Sequence, residues 1–304
     1  MNKIIEVNGL RKSYGNVQAV KGIDFYVEAG KVFAFLGPNG AGKSTTIDII
    51  CTFLQQDAGN VVVDGHVLGR DDDAIRSIIG VVFQDNLLDS LLTVEENLRL
   101  RGGFYGLRGD KLTDALNAAV EATGTRDILK RPYEKLSGGQ RRRCDIARAL
   151  IHTPKILFLD EPTTGLDPQT RKNVWETILD LQRKTQMTVF LTTHYMEEAA
   201  GADYVIIIDD GKIAAKGTPS WLKETYATDK LSLVPANTEE LAGILTQDRI
   251  EYSRVAERLI IQVPATLDAL PLLDKYRSHL SGFEVVSGTM DDAFIAITGK
   301  EIRE

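Results

Sequence analysis

Eight consecutive residues decide the fold of this chain, and they read Gly37-Pro38-Asn39-Gly40-Ala41-Gly42-Lys43-Ser44. They fit the pattern G-x-x-x-x-G-K-[ST], between an apolar strand predicted over residues 32–36 and a helix predicted to begin near Lys43. Glycines let successive backbone N–H groups turn onto phosphate oxygens, and the helix that follows presents its positive end to the same anion. The stretch, here called the phosphate loop, therefore predicts a cradle for a nucleoside triphosphate.

Each residue of the phosphate loop has an expected role. Lys43 should reach the β- and γ-phosphates of ATP, and Ser44 should hold Mg²⁺. Further contacts to the nucleotide are predicted for Gly37, Pro38, Asn39, Gly40, Ala41, Gly42 and Thr45. Alone, the loop indicates a nucleoside triphosphatase or a kinase, and its place between a strand and a helix favours the functional interpretation over a chance match.

Further short segments follow in a fixed order. They are Gln84, Leu136-Ser137-Gly138-Gly139-Gln140, Ile156-Leu157-Phe158-Leu159-Asp160-Glu161, Gly165-Leu166-Asp167 and His194. The strand predicted over residues 156–159 is apolar throughout, which is typical of a parallel strand buried on both faces, so Asp160 should lie at the ligand edge of the sheet. There Asp160 is expected to orient the Mg²⁺ shell, and Glu161 to orient or deprotonate the attacking water.

This set of segments resembles the ATP-binding subunits of ABC transporters over roughly the first 220 residues. The resemblance implies that Gln84 contacts the metal and senses the γ-phosphate, and that His194 hydrogen-bonds the γ-phosphate. It implies that Tyr14 stacks on adenine and that Asp167 crosses a dimer seam. It also implies that a signature segment touches the γ-phosphate bound by the other subunit, through Ser137, Gly138, Gly139 and Gln140.

Several of these residues have a plainer interpretation. Ser137 is a common helix cap, and Tyr14 is as well explained by core packing as by stacking. Arg141-Arg142-Arg143, which follows the signature segment, is typical of a solvated charged face, because nothing basic extends it.

Composition excludes several classes of protein. The chain has 304 residues and a net charge of −7, which argues against a nucleic-acid partner. No apolar run approaches the ~18 residues that a membrane span needs, and no signal peptide is visible at the N-terminus, so a cytoplasmic protein is expected. Cys51 and Cys144 lie in helical patterns without metal-ligand spacing, which predicts buried apolar side chains.

The pattern of strands and helices predicts two domains. For residues 1–217 the recurring strands and helices predict a layered α/β sheet, and the resemblance implies a P-loop NTPase domain of the ABC ATPase type, with an antiparallel N-terminal β part and a helical subdomain at about 86–155. Thr218 and Pro219 should start a linker helix. Residues 218–304 should form a small α+β accessory domain, whose predicted order, β-α-β-β-α-β, is that of the ferredoxin-like arrangement.

The family branch is indicated by three stretches, which are Phe104-Tyr105-Gly106, Asp167-Pro168-Gln169-Thr170-Arg171 and residues 290–299. They resemble bacterial drug- and antibiotic-resistance exporters of the ABC-2 type, although Met290, Asp291 and Ala293 depart from that branch's tail. The tail is equally explained as an amphipathic closing helix.

The resemblance implies an ATP-hydrolysing subunit of a bacterial exporter that uses ATP and Mg²⁺. It would pair with a second copy or a homologous ATPase and join an integral membrane permease at the inner face of the cell membrane. The alternatives are a soluble ABC ATPase without a transport role and an ATP-binding regulatory module without turnover. Glu161 and His194 argue against the second of these.

Overall fold

Two units make up the chain, Met1–Lys216 and Gly217–Glu304. The computed structural model describes residues 2–300. The strands of the first unit are β1 (Lys3–Tyr14), β2 (Val17–Glu28), β3 (Val32–Leu36), β4 (Ala58–Val63), β5 (His66–Val67), β6 (Ile79–Val82), β7 (Ile156–Asp160), β8 (Thr188–Thr193), β9 (Tyr204–Asp209) and β10 (Lys212–Gly217). Its helices are α1 (Lys43–Ile50), α2 (Asp72–Ile78), α3 (Val94–Phe104), α4 (Gly109–Thr123), α5 (Gly138–Leu150), α6 (Pro168–Thr185) and α7 (Met196–Ala200).

An antiparallel sheet of order β2-β1-β4-β5 opens the first unit. The strands β1 and β2 extend well beyond residues 4–7 and 23–27, which hold most of their buried apolar side chains. Their outer parts are more polar and pair through the backbone across shifts in register. Tyr14 is the last residue of β1, and it pairs with Val17.

The second sheet has the order β10-β9-β3-β8-β7-β6, and its pairs from β9 to β6 are parallel. Leu36 lies opposite Thr193, and Asp160 opposite Thr192. The carboxyl ends of β3, β8, β7 and β6 therefore meet at one edge, where open α/β sheets bind their ligands. The predicted α/β class is confirmed.

An aromatic cluster packs between the two sheets of the first unit. Phe33 of β3 and Phe190 of β8 have ring centroids 4.9 Å apart, and Phe25 of β2 packs 5.7 Å from Phe33. All three rings are buried. Burial of such a side chain contributes about 1.5–3 kcal/mol, so the two sheets are joined by a rigid apolar layer.

Helices α3, α4 and α5 fill the region expected to be helical. Thr93 begins α3 with a capping box, in which its hydroxyl accepts from the Glu96 N–H while the Glu96 carboxylate accepts from the Thr93 N–H. Cys144 is buried in α5, and Cys51 is buried directly after α1. Neither thiol belongs to a candidate metal site, since residues 2–300 contain no group of three or more His, Cys, Asp or Glu suited to a metal ion.

The second unit is a four-stranded sheet covered by helices. Its elements are α8 (Pro219–Tyr226), β11 (Asp229–Pro235), α9 (Thr238–Gln247), β12 (Ser253–Val255), β13 (Arg258–Val263), α10 (Ala269–Tyr276), β14 (Leu280–Val286) and α11 (Met290–Thr298). The antiparallel sheet has the order β12-β13-β11-β14, which with the β-α-β-β-α-β chain order is the ferredoxin-like arrangement. Its own core includes Leu231, Leu241 and Tyr276.

The helices of the second unit have ends and faces that their contacts explain. Helix α10 ends at Tyr276, and Leu280 already pairs with Pro235 at the start of β14. The terminal stretch forms a helix, α11, with one buried face, since Met290 and Phe294 are buried while Asp291 is exposed. Thr218 caps α8 by accepting from the Trp221 N–H, with proline in the first turn, as predicted.

No helix within residues 2–300 is long and apolar enough to cross a membrane.

Candidate active site

The phosphate loop connects β3 to α1 and depends on glycine at defined positions. Gly40 and Gly42 have φ of 79° and 102°. A Cβ on Gly42 would lie 2.4 Å from the Ala19 carbonyl oxygen, and one on Gly37 would lie 2.3 Å from that of Ile208. The loop therefore stays tight against the sheet, and the first turn of α1 keeps backbone N–H groups free of helical acceptors. This geometry suits an anion.

Lys43 stands at the start of α1 and is 4% exposed. Its ammonium donates to the carbonyl oxygens of Gly37 at 2.8 Å and Pro38 at 3.2 Å. It also lies 3.1 Å from Oε1 of Glu161. The cation is thus held over the phosphate loop by a carboxylate that a phosphate group would have to displace.

Glu161 follows β7 and is held from several directions. Its N–H donates to the Thr192 hydroxyl at 3.0 Å, and Thr164 Oγ1 donates to Oε2 at 3.2 Å. Its φ is +44°, a left-handed conformation that costs a non-glycine residue about 1–3 kcal/mol. Such strain persists only where the surroundings enforce it, and it is concentrated at functional sites.

The electrostatics of Glu161 favour a carboxylate. His194 Nδ1 lies 3.3 Å from Oε2, close but not aligned for a hydrogen bond. The neighbouring His194 and then the Lys43 ammonium lower the pKa of Glu161 to about 2, against the desolvation that raises it. Glu161 is therefore ionised at neutral pH, as a residue that accepts a proton from water must be.

Asp160 ends β7 and meets two hydroxyl groups at one oxygen. Ser44 Oγ donates to Oδ1 at 3.2 Å, and Thr192 Oγ1 donates to the same atom at 2.5 Å. Asp160 is 9% exposed, whereas Ser44 is exposed. A serine hydroxyl beside a carboxylate fits Mg²⁺, which prefers hard oxygen donors and takes its remaining ligands from phosphates and water.

Two predicted residues lie outside this contact network. Gln84 is exposed on the segment that follows β6. Tyr14 is 51% exposed, so core packing does not explain it, and Lys12 Nζ lies 5.9 Å from its ring centroid. About half of the Tyr14 side chain is thus open to solvent.

The signature segment starts α5, and the side-chain hydrogen bonds of Ser137 and Gln140 in the described residues are made within the segment itself. Ser137 and Gln140 form a capping box, so the plainer interpretation of Ser137 describes its local role correctly. A Cβ on Gly139 would lie 2.3 Å from Thr170 Cγ2, which explains the need for glycine where α5 meets α6. Asp167 likewise caps α6. Ser137 and Asp167 are both exposed, so these helix starts can meet a partner.

Sequence reasoning missed three residues that build the site, Thr192, Glu198 and Arg142. Glu198 is 2% exposed and accepts hydrogen bonds from the hydroxyls of Thr163 and Thr193. Burial raises the pKa of its carboxyl. The one signal in the sequence was the apolar flank of Glu198, formed by Met196 and Ala199.

The interpretation of the arginine run as a solvated face is wrong for Arg142. This residue is 5% exposed, and its guanidinium donates to backbone carbonyl oxygens of the segments that carry Gln84 and Glu161. Arg141 and Arg143 are half-buried and bind carbonyls of Glu134 and Gly124.

Comparison with known proteins gives consistent matches. A family model described as ABC transporter matches residues 20–164. The daunorubicin/doxorubicin resistance ATP-binding protein DrrA of Streptomyces peucetius is 36% identical, over 98% of this chain and 93% of that protein. The linearmycin resistance ATP-binding protein LnrL of Bacillus subtilis is 35% identical, over 99% of this chain and 100% of that protein. The Nod factor export ATP-binding protein I of Ralstonia nicotianae is 36% identical, over 99% of this chain and 95% of that protein.

Solved structures agree with these relatives. The cbiO1 protein of Clostridium perfringens, part of the ABC transporter complex cbiONQ, superposes with a TM-score of 0.69 at 30% identity, over 73% of this chain and 91% of that chain. The ATP-binding cassette MJ0796, in a dimeric post-hydrolysis state bound to ADP and Pi, has a TM-score of 0.63 at 28% identity, over 70% of this chain and 98% of that chain.

Proposed function

The chain belongs to the family of ABC transporter ATP-binding proteins, and from that premise we propose that it hydrolyses ATP to drive export through a separate membrane permease. The observation that carries the proposal is the meeting of Lys43, Asp160, Glu161 and His194 in one network at the carboxyl edge of the parallel sheet. A site for phosphoryl transfer to water needs positioning and charge neutralisation more than covalent chemistry, and these groups supply both.

Lys43 and Glu161 divide the chemistry between them. When the phosphates of ATP enter the loop, the Lys43 ammonium exchanges the Glu161 carboxylate for phosphate oxygens. The freed carboxylate then faces the attacking water and orients it or takes its proton. His194, beside the same carboxylate, is placed to hydrogen-bond the γ-phosphate. Mg²⁺, when bound by Ser44 and Asp160, would neutralise the charge that develops on the phosphates, and Gln84 would join it from the segment after β6.

A second copy, or a homologous ATPase, would complete the site. The start of α5 carries the exposed Ser137 and Gly138, and an exposed helix N-terminus suits the γ-phosphate of a facing subunit. Asp167 is equally exposed and would lie at the seam. The dimeric state of MJ0796 supports this arrangement. A two-fold pair of this kind has two equivalent nucleotide sites.

The membrane permease would dock beside Gln84. Leu87 and Leu91, which follow it in the chain, are 52% and 79% exposed, and Phe53 is 54% exposed with its ring 5.3 Å from Phe83. Exposed apolar side chains on and beside one short segment suit a protein-binding surface. Through this contact the protein would lie at the cytoplasmic face of the membrane.

Export, as opposed to import, is supported by relatives named for drug resistance and for Nod factor export. These relatives match nearly the whole chain, including its second unit, and they favour a transport role over a soluble ATPase or a regulatory module.

Co-purification from detergent-solubilised membranes tests the proposal. We expect the tagged protein to retain one integral membrane subunit, and Leu91→Glu to lose most of it while purified Leu91→Glu keeps its ATPase activity. Tyr26→Glu, at an exposed position on β2, is the matched control and should retain the subunit. Active ATPase that never retains a membrane protein would support the soluble alternative, and absent turnover would support the regulatory module.

A further inference from the structure

Arg142 occupies an unusual position for a charged side chain. It lies in α5, five residues after the exposed Ser137, yet it is 5% exposed. Its guanidinium uses all three nitrogens as donors: Nη1 binds the Phe83 carbonyl oxygen, Nε that of Pro162, and Nη2 that of Glu161 at 3.0 Å, with the Asp160 oxygen at 3.4 Å.

The four acceptors belong to the two segments that hold the reacting groups. Phe83 directly precedes Gln84 after β6, and the other three acceptors lie at the last residue of β7 and in the turn that follows it. Because β6 and β7 are parallel neighbours, both segments leave the sheet at the same edge. The planar guanidinium of Arg142 therefore fixes the distance between the segment after β6 and the segment after β7.

Glu161 needs such a restraint. Its φ of +44° is a conformation that surrounding contacts must impose. Thr192 holds the N–H side of the residue, and Arg142 holds its carbonyl oxygen and those of both neighbours. The backbone is thus held on both sides, while the carboxylate stays free to meet Lys43 and His194.

We propose that Arg142 is a positioning residue for ATP hydrolysis, which sets the backbone of Glu161 and of the Gln84 segment without touching the nucleotide. The inference rests on the proposed ATPase function. Lysine cannot replace it fully, because one ammonium with three donors does not reproduce a rigid fork that reaches four carbonyl oxygens. Loss of the fork should misplace the carboxylate and leave the phosphate loop intact.

The test compares Arg142→Met and Arg142→Lys with Arg143→Met in the purified full chain. Arg143 is the matched control, since it lies next on α5 and donates from Nη1 to the Gly124 carbonyl oxygen, remote from both segments. For Arg142→Met we expect kcat to fall about 100-fold, as for a misplaced catalytic group, with ATP affinity within about two-fold of wild type. Arg142→Lys should lose about 10-fold in kcat, and Arg143→Met should match wild type.

The outcomes separate this inference from the function on which it rests. A wild-type protein without turnover refutes the ATPase function itself. An active wild type with unchanged kcat in folded Arg142→Met refutes the positioning role, and so does an equal loss of kcat and ATP affinity, which a general structural defect would cause. If Arg142→Met does not fold, Arg142→Lys decides: wild-type kcat in that variant contradicts the inference.

Discussion

Alanine at Gly42 should destabilise the first unit much more than alanine at Gly40, although both glycines have positive φ. At Gly40 a Cβ meets nothing within 4 Å, so the cost is the left-handed backbone alone, about 1–2 kcal/mol. At Gly42 the φ of 102° lies beyond the left-handed well, and the Cβ would sit 2.4 Å from the Ala19 carbonyl oxygen. Strain of about 1–3 kcal/mol and a backbone shift of similar cost add to roughly 4 kcal/mol.

Fluorescence of a single tryptophan can follow this difference. The chain has two tryptophans, Trp175 in the first unit and Trp221 in the second, and Trp221 is 45% exposed. In a Trp221→Phe background, Trp175 reports unfolding of the first unit in urea. The measurement must be made without nucleotide, because bound ATP would stabilise each variant by a different amount.

The expected gap between Gly42→Ala and Gly40→Ala is about 2–3 kcal/mol in the free energy of unfolding. Equal losses, within about 0.5 kcal/mol, would mean that the contact with Ala19 relaxes at no cost and would refute the argument that the loop is pressed against the sheet.

Three further predictions follow from exposure, charge and domain division. Tyr14→Ala should weaken ATP binding several-fold while Tyr14→Phe should not, because the exposed ring offers its face to adenine; equal affinities by titration calorimetry would remove Tyr14 from the site. The pKa of Glu161 is lowered from 4.5 to about 2, so its stabilisation, up to about 3 kcal/mol, is complete above pH 4.5 and is lost as the pH falls toward 2. The free energies of unfolding of wild type and Glu161→Gln, measured in urea, should therefore differ less at pH 3 than at pH 7. The same difference at both pH values would contradict the lowered pKa. A chain truncated after Thr218 should keep ATP affinity within about two-fold but retain less dimer or permease, and a folded truncation without ATP binding would refute that division of labour.

Local sequence predicted the elements that are buried on both faces. The boundaries of β3 agree with the predicted residues, and those of β7 differ by one residue, because continuous apolar runs mark both strands clearly. β1 and β2 are half exposed and carry polar side chains along their outer halves, so their full length depended on pairing that no local pattern displays.

The sequence predicted those parts of the site that consecutive residues form. It did not predict contacts between residues that are distant in the chain and that the topology brings together. The phosphate loop is one such stretch. Thr192 meets Asp160 only because β7 and β8 are neighbours, and Arg142 meets Glu161 only because α5 packs beside the end of β7. The positive φ of Glu161 likewise has no signature in the sequence.

The catalytic assignment of Glu161 is tested most directly by ATP turnover of Glu161→Gln, measured together with ATP binding and with mass in solution. The account predicts that this variant binds ATP, forms a dimer when ATP is added and loses about 10²–10³-fold in turnover, since glutamine keeps the shape but removes the carboxylate. Glu197→Gln, an exposed acid on α7, should hydrolyse ATP like wild type. Near-normal ATPase activity in Glu161→Gln would contradict the account.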